Sequence, residues 1–395
     1  MTDTPHIPAR RLPWPESGSR PVASPLSPSV VYATPDPDAL DAQYEGRTKG
    51  YSYAREGHPN ADLLAAMIDR MEGATGGIVT GSGMAAVSAA VLGALKAGDH
   101  VLGGDQLYGR SLRMLSQDLP RLGIATSLAD PTDAAGFAAA LRPETRMILI
   151  ETVSNPTLRV ADIEGIAALA HAHGIVLAVD NTFTTPRALR PFQHGADIVI
   201  HSVTKLLAGH ADATLGYVAA RDPDLAQAIK VAATTWGLTP SPFDCWLAER
   251  GALSFELRYD RAEQTAARLA DHLANLTGVA RVLYPGRADH PDHNRAGALL
   301  QGRFGNMFSF ELAGGRAAAN AFTRACPNIA FAPTLGDIAT TLSHPASSSH
   351  RALSAQDRAA LGISEGFFRV SVGVEPAETL IEEMTRGVAA AAAAV

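Results

Sequence analysis

Between residues 61 and 220 the chain alternates short apolar runs with alanine-rich stretches of helical period. The runs at 77–80, 100–102, 146–151, 175–180 and 197–202 are brief, and several lack polar alternation. Such runs predict parallel strands covered on both faces. Residues 60–71, 83–95 and 162–172 repeat apolar positions at helical spacing and predict the covering helices. Residues 241–270, with Phe243, Trp246, Leu247 and Leu253, read as one long charged helical stretch bridging to a second domain. Beyond it, apolar runs at 307–312 and 368–372 mixed with helical segments predict a smaller α+β domain. The first 60 residues are proline-rich and aperiodic, which predicts an extended arm ordered by docking on a neighbouring subunit. The expected organisation is an arm over 1–60, an α/β domain over 61–253 and an α+β domain over 254–395.

Composition narrows the function. Of 395 residues, 46% are hydrophobic and 18% charged, an ordinary globular balance. A formal net charge of -7 gives no basic footprint for nucleic acid or an anionic membrane. Two cysteines, Cys245 and Cys326, cannot build a disulfide framework, and no Cys/His cluster has zinc spacing. The histidines of His290-Pro-Asp-His293, with His344 and His350, read as loop or packing residues, so no metal is expected. The N-terminus lacks the apolar core of a signal peptide, and no apolar run is long enough to span a bilayer. The expected location is cytoplasmic.

The chemistry centres on Lys205, just beyond the apolar run at 197–202. A lysine where a buried strand meets a loop is costly to desolvate unless it is paired or used covalently; desolvation favours the neutral amine, which condenses with aldehydes. Asp180 ends the preceding strand, so both side chains are expected at one sheet edge, where α/β folds bind ligands. Thr80-Gly81-Ser82-Gly83-Met84 lies between a strand and a helix and suits a compact phosphate, without the spacing of dinucleotide or triphosphate loops. An aldehyde-reactive lysine, an acid for a pyridine nitrogen and a phosphate cradle are what pyridoxal 5'-phosphate (PLP) asks of a protein. Ser202 and Thr204 offer further hydroxyls to the phosphate, and Tyr108 a ring for the pyridine face.

These residues belong to motifs that resemble the PLP-dependent Cys/Met-metabolism, or trans-sulfuration, enzymes, the family of cystathionine γ-synthase and the cystathionine β- and γ-lyases. The similar motifs run from Tyr51-Ser-Tyr53-Ala-Arg55 through Glu151-Thr-Val-Ser-Asn155-Pro156, Val179-Asp-Asn-Thr-Phe183, Ser202-Val-Thr-Lys205 and Ser241-Pro-Phe-Asp244 to Arg369-Val-Ser-Val-Gly373. The resemblance implies PLP fold type I and a homotetramer built as a dimer of dimers. It implies that Lys205 binds the cofactor covalently and then moves protons, that Asp180 meets the pyridine nitrogen, and that Ser82, Gly83, Met84, Ser202 and Thr204 hold the phosphate. Tyr53 and Arg55 match residues sent across the dimer interface to a neighbour's phosphate. Tyr108 would stack on the ring and serve proton transfer, Asn155 would meet the cofactor's phenolic oxygen and the substrate carboxylate, and Arg369 would grip that carboxylate.

The implied activity is cleavage of the C–S bond of cystathionine or a related sulfur amino acid by β- or γ-elimination. The alternatives are γ-replacement on an O-acylhomoserine and, in another class, a non-catalytic PLP-binding protein. Arg113, in Tyr108-Gly-Arg110-Ser-Leu-Arg113, matches an arginine that meets a distal carboxylate in cystathionine-handling members. Thr334 keeps a hydroxyl where serine is usual. Two departures stand out: Arg110 replaces a small residue, and Pro333 stands where a glutamate is common in γ-specific enzymes.

Overall fold

The computed structural model describes residues 17–351 and 353–395; the first sixteen residues of the expected arm lie outside them. A seven-stranded sheet is built from β1 (Ile78–Thr80), β2 (His100–Gly104), β3 (Ala125–Ala129), β4 (Thr145–Glu151), β5 (Val176–Asp180), β6 (Ile198–His201) and β7 (Gly216–Ala220), in the order β1-β7-β6-β5-β4-β2-β3. Neighbours from β6 through β3 are parallel, whereas β7 pairs antiparallel with both β1 and β6. The fully buried Gly-Tyr-Val-Ala-Ala of β7 and the exposed edge strand β3 went unread in the apolar pattern. The first is too small and the second too polar to announce a strand. From β2 the chain moves outward to β3, then returns to β4 on the other side of β2, so the winding direction reverses at the β2–β4 pair. Ligands of open α/β sheets bind outside such a reversal.

Helices cover both faces as the periodicity predicted. Pro59–Glu72 is capped by the His58 ring, which accepts from the Ala61 N–H. In Gly83–Ala94 the Ser82 hydroxyl accepts from the Ala85 N–H at 3.1 Å. One face of the sheet packs Val101, Leu149, Ile198 and Ile200 under Ala86 and Ala90; the other buries Ile148, Ile150, Val179 and Val199 with Phe137 and Ile166. The stretch over 241–270 is a correction: it is two helices, Pro242–Ala252 and Phe255–Ala274, broken at Leu253 and Ser254. The backbone there carries both segments through a turn that charge patterning does not reveal.

A second, five-stranded sheet contains β8 (Val279–Leu283), β9 (Met307–Leu312), β10 (Ala330–Phe331), β11 (Thr341–Ser343) and β12 (Phe367–Ser371), in the order β10-β11-β12-β9-β8. Its pairs are antiparallel except β10–β11. An aromatic cluster packs it against helices Gly315–Ala325 and Ala377–Ala392: Phe310 stacks on Phe368 with centroids 5.4 Å apart and meets Phe322 edge-on at 5.2 Å. The two sheets are joined by Arg159, whose Nε donates to Asp292 at 2.6 Å, and by the Val160 N–H, which donates to the same carboxylate at 3.0 Å. Among the described residues no helix is long and apolar enough to cross a membrane.

Phe310 is fully buried, so Phe310→Ala is expected to cost about 3–5 kcal/mol of stability, as for large-to-small core changes generally. A thermal midpoint indistinguishable from wild type in scanning calorimetry would refute this account of the second core.

Candidate active site

Three successive parallel strands deliver the site. Register pairs Glu151, the last residue of β4, with Asp180, the last of β5, and pairs Asp180 with Ile200 of β6, five residues before Lys205. One cavity of about 980 Å³ opens over these strand ends. It is lined by Ser82, Gly83, Met84, Tyr108, Arg113, Asn155, Asp180, Ser202, Thr204, Lys205, Thr334 and Arg369, all named from the sequence as site residues. Glu151, Arg110, Pro333 and Arg351 also line it.

The carboxylates divide their labour. Burial raises the Asp180 pKa, but the Thr182 N–H and hydroxyl donate to its Oδ1 at 3.0 and 2.5 Å, and His201 pulls it back down. Its Oδ2 makes no hydrogen bond among the described residues and is open to a ligand nitrogen. Burial, and then the Asp180 charge, push Glu151 well above the carboxylate range. Of the two, Glu151 is the one biased toward its neutral form, while its Oε1 accepts from the Tyr108 N–H at 2.6 Å. That bond closes the reversal crevice and fixes the start of the segment carrying the Tyr108 ring. Behind the sheet, His201 Nε2 bonds the fully buried Glu72, and Asn181 donates to the same carboxylate at 3.2 Å while accepting from the Thr152 hydroxyl at 2.9 Å.

Lys205 faces the cavity with one protein contact, a long 3.4 Å approach to the Thr334 hydroxyl. Burial, then the Arg369 charge, lower its pKa, which favours the free amine. The turn bearing it is held by Arg258, whose buried guanidinium donates to the carbonyls of Leu206, Leu207 and Gly251 at 3.0, 3.1 and 2.8 Å. Arg369, on β12, donates to Asn155 Oδ1 at 2.8 Å and to the Thr334 carbonyl at 2.6 Å. Its Nε is buried with no partner, and burial brings its pKa down to about 10, so it stays cationic at neutral pH. A buried donor left unmade is costly, which makes this edge a receptor for a carboxylate.

The residues fit PLP. At the start of helix Gly83–Ala94 a Cβ on Gly83 would lie 2.7 Å from the Ser202 Cβ, so only glycine lets the helix N-terminus and Ser202 converge on one anion. The Ser202 N–H donates to the Thr182 hydroxyl at 2.8 Å, linking that cradle to the Asp180 end of the site. Thr204 differs from expectation in detail: its hydroxyl donates to the Leu215 carbonyl and accepts the Leu215 N–H, so its proton is already engaged.

Tyr53 and Arg55 do not join the cavity of their own chain. They lie at the surface, with the Arg55 guanidinium 5.5 Å from the Tyr53 ring and bonded to Glu56 at 3.1 Å. The suspect histidines are held internally: His344 bonds Ser347 and the Glu365 carbonyl, and His290 accepts the Asp292 N–H. Among the described residues no three His, Cys, Asp or Glu side chains converge as metal ligands.

Sequence reasoning quoted Glu151 only as the first residue of a motif and gave it no task. Its role appears once β4 and β5 are in register. Glu72 and Arg351 carry no local signal and are recruited by tertiary contact; Thr182 stood inside a quoted motif without a task, and acts on Asp180 through a turn.

A lysine amine, an ionised acid and a phosphate cradle around one crevice, on this sheet order, define a PLP-dependent enzyme of fold type I. The profile of the family "Cys/Met metabolism PLP-dependent enzyme" matches residues 10–389, and the chain belongs to that family. It is 40% identical to cystathionine beta-lyase MetC of Bacillus subtilis over 84% of both chains. It is 37% identical to the O-succinylhomoserine sulfhydrylase of Pseudomonas aeruginosa, covering 88% of this chain and 86% of that one. Cystathionine gamma synthase of Xanthomonas oryzae, solved with cystathionine, superposes with a TM-score of 0.89 at 36% identity, over 95% of this chain and 94% of that one. The protein is thus a PLP-dependent trans-sulfuration enzyme, a carbon–sulfur lyase or a closely related γ-replacement transferase.

Because the Arg369 charge contributes to the depressed Lys205 pKa, Arg369→Gln should move it upward. In cofactor-free protein, the pH profile for acylation of Lys205 by an amine reagent, followed by peptide mass spectrometry, is expected to shift to higher pH. An unchanged profile would mean that burial alone sets the amine.

Proposed function

We propose that this enzyme cleaves the C–S bond of cystathionine or a related sulfur amino acid by elimination. The observation that carries the reading is the pairing, across one cavity, of an amine biased toward its free form with a buried arginine whose Nε lacks a partner. PLP, when bound, supplies the electron sink that makes a Cα proton removable. Lys205 would hold the cofactor and would be the base for the Cα proton. Asp180 keeps a negative charge against the ring nitrogen, and Ser82, Gly83, Met84 and Ser202 hold the phosphate, with Thr204 at its margin. Arg369 fixes the substrate α-carboxylate beside Asn155, a bidentate task that lysine cannot reproduce. Thr334 steadies both: its hydroxyl lies 3.4 Å from the Lys205 amine and its carbonyl holds Arg369. Tyr108 covers the ring face and delivers a proton to the departing sulfur. Arg113, at the wall of the cavity, meets the far end of the substrate.

The similarity to beta-lyases, and Pro333, which supplies no carboxylate charge for the γ-specific chemistry that needs a second deprotonation, favour β-elimination. The cystathionine gamma synthase and sulfhydrylase likenesses keep γ-replacement on an O-acylhomoserine as the second reading.

The arm belongs to the assembly. Val22, Val30, Val31 and Tyr44 are exposed, as are Tyr53 and Arg55, which supports packing against a neighbour in a homotetramer made of two tight dimers. Tyr53 and Arg55 then complete the neighbour's phosphate site and its proton network. The division into arm, PLP-binding α/β domain over 61–253 and α+β domain over 254–395 is part of this reading. The two buried free thiols, Cys245 and Cys326, suit the reducing cytoplasm.

With cystathionine as substrate, β-elimination yields homocysteine, pyruvate and ammonia, whereas γ-elimination yields cysteine, 2-oxobutyrate and ammonia. Chromatographic identification of the keto acid is expected to show pyruvate, and Lys205→Ala should abolish it. Cystathionine formed from O-succinylhomoserine and cysteine, with no keto acid from cystathionine, would favour the second reading; no product from either would leave a binding protein. Arg55→Ala should weaken PLP retention in equilibrium dialysis without loss of fold, and retention equal to wild type would remove the cross-subunit role.

A further inference from the structure

Arg110 and Arg351, both exposed, line the same cavity as Lys205 at its mouth. Arg110 follows Gly109 in the helix Gly109–Arg113; Arg351 closes the loop after β11, where its N–H donates to the Ser348 carbonyl. The two segments touch: a Cβ on Gly109 would lie 2.6 Å from the Ser349 carbonyl oxygen, so the backbones carrying the two arginines are in direct contact. Neither guanidinium has a hydrogen bond or a carboxylate within 4.0 Å among the described residues. Arg113, one turn beyond Arg110, does face an acid, with Asp118 at 3.9 Å. The carboxyl groups lining the cavity, Glu151 and Asp180, lie at its floor, at the strand ends, and burial with the Asp180 charge pushes Glu151 toward its neutral form. The field along the cavity therefore runs from the Asp180 charge at the strand ends to positive charge at the mouth, and low-dielectric walls focus such a field on an incoming anion.

We infer that Arg110 and Arg351 form a second carboxylate-binding site, at the mouth of the cavity, that selects substrates whose leaving group ends in a carboxylate. Arg369 takes the α-carboxylate at the floor and the mouth pair takes the far one, so dicarboxylic substrates span the cavity between two guanidinium sites. This assignment rests on the reading of the cavity as an amino-acid site. Two forked donors from independent segments enclose a carboxylate from both sides, which one long arginine does not. The serine hydroxyls of Ser347 and Ser348 are already engaged, by Arg316 and by the His344 carbonyl, and leave the charge to the arginines. Placing Arg110 where the motif ordinarily has a small residue gives this chain a reader of its own beside Arg113.

The test uses the PLP-loaded enzyme with Arg110→Ala, Arg351→Ala and the double variant, each checked for fold by circular dichroism. Specificity constants are measured for cystathionine and for S-ethylcysteine, which has the same scissile bond and no distal carboxylate. The double variant is expected to lose roughly 10- to 100-fold more kcat/KM on cystathionine than on S-ethylcysteine, as for loss of charge-assisted hydrogen bonds. Equal losses on both substrates, or discrimination lost only with Arg113→Ala, would overturn the assignment. Calorimetric titration with succinate against propionate reads the site without turnover: the double variant should lose affinity for the dicarboxylate alone. If wild-type enzyme turns over neither substrate yet binds succinate through this pair, the failure lies with the proposed reaction and the mouth site stands. Succinate binding unchanged in the double variant overturns the site itself.

Discussion

A single negative charge has to survive at the edge of a sheet that gives it little water. Strand register sets Asp180 beside a second carboxyl, Glu151, and burial disfavours ionisation of both. The surrounding structure resolves the conflict by making the two unequal. Thr182 gives Asp180 two donors, and His201 lends it a favourable field from behind. Glu151 is biased toward its neutral form and serves as a strut for the Tyr108 backbone. Loss of that inequality would leave either two charges repelling each other or an acid unable to hold a pyridine nitrogen protonated.

The amine side of the site follows the opposite logic. Lys205 is kept poor in partners, while Arg369 nearby is wrapped in acceptors yet retains one buried N–H without a mate. Positive charge is thus spread unevenly, firm where a carboxylate is to be held and weakened where an amine has to react. The same arrangement serves elimination and replacement alike, because both begin with a held carboxylate and a removable proton. What separates the relatives must lie in the cavity walls, away from this shared floor.

Legibility in the sequence followed the same division. Lys205 and Asp180 announce themselves because one follows and the other ends a short apolar run, and the strands between residues 77 and 202, β3 apart, are distinct in pattern. Strand β7 was invisible because Gly216, Tyr217 and the alanines after Val218 lack β-branched weight, although β6 and β1 bury them on both edges. The helix break at Leu253 and Ser254 was hidden by continuous helical composition on both sides. Glu72 and Thr182 act through partners far off in sequence or through a turn, so no spacing rule isolates them. Tyr53 and Arg55 were readable as motif residues but lie outside the cavity of their own chain.

Arg258 has a consequence for how such a cavity can change over time. It rises from the first turn of the helix Phe255–Ala274, whose later turns pack against the second sheet, and its guanidinium holds two carbonyls of the segment just after Lys205 together with the Gly251 carbonyl of the preceding helix. The turn bearing the reactive amine therefore shares an anchor with a helix that runs on into the second sheet's core. Walls and rim can be exchanged loop by loop, but the opening turns of that helix are tethered to the chemistry. A lineage acquiring a new leaving group is free to redraw the entrance only while this anchor stays where it is.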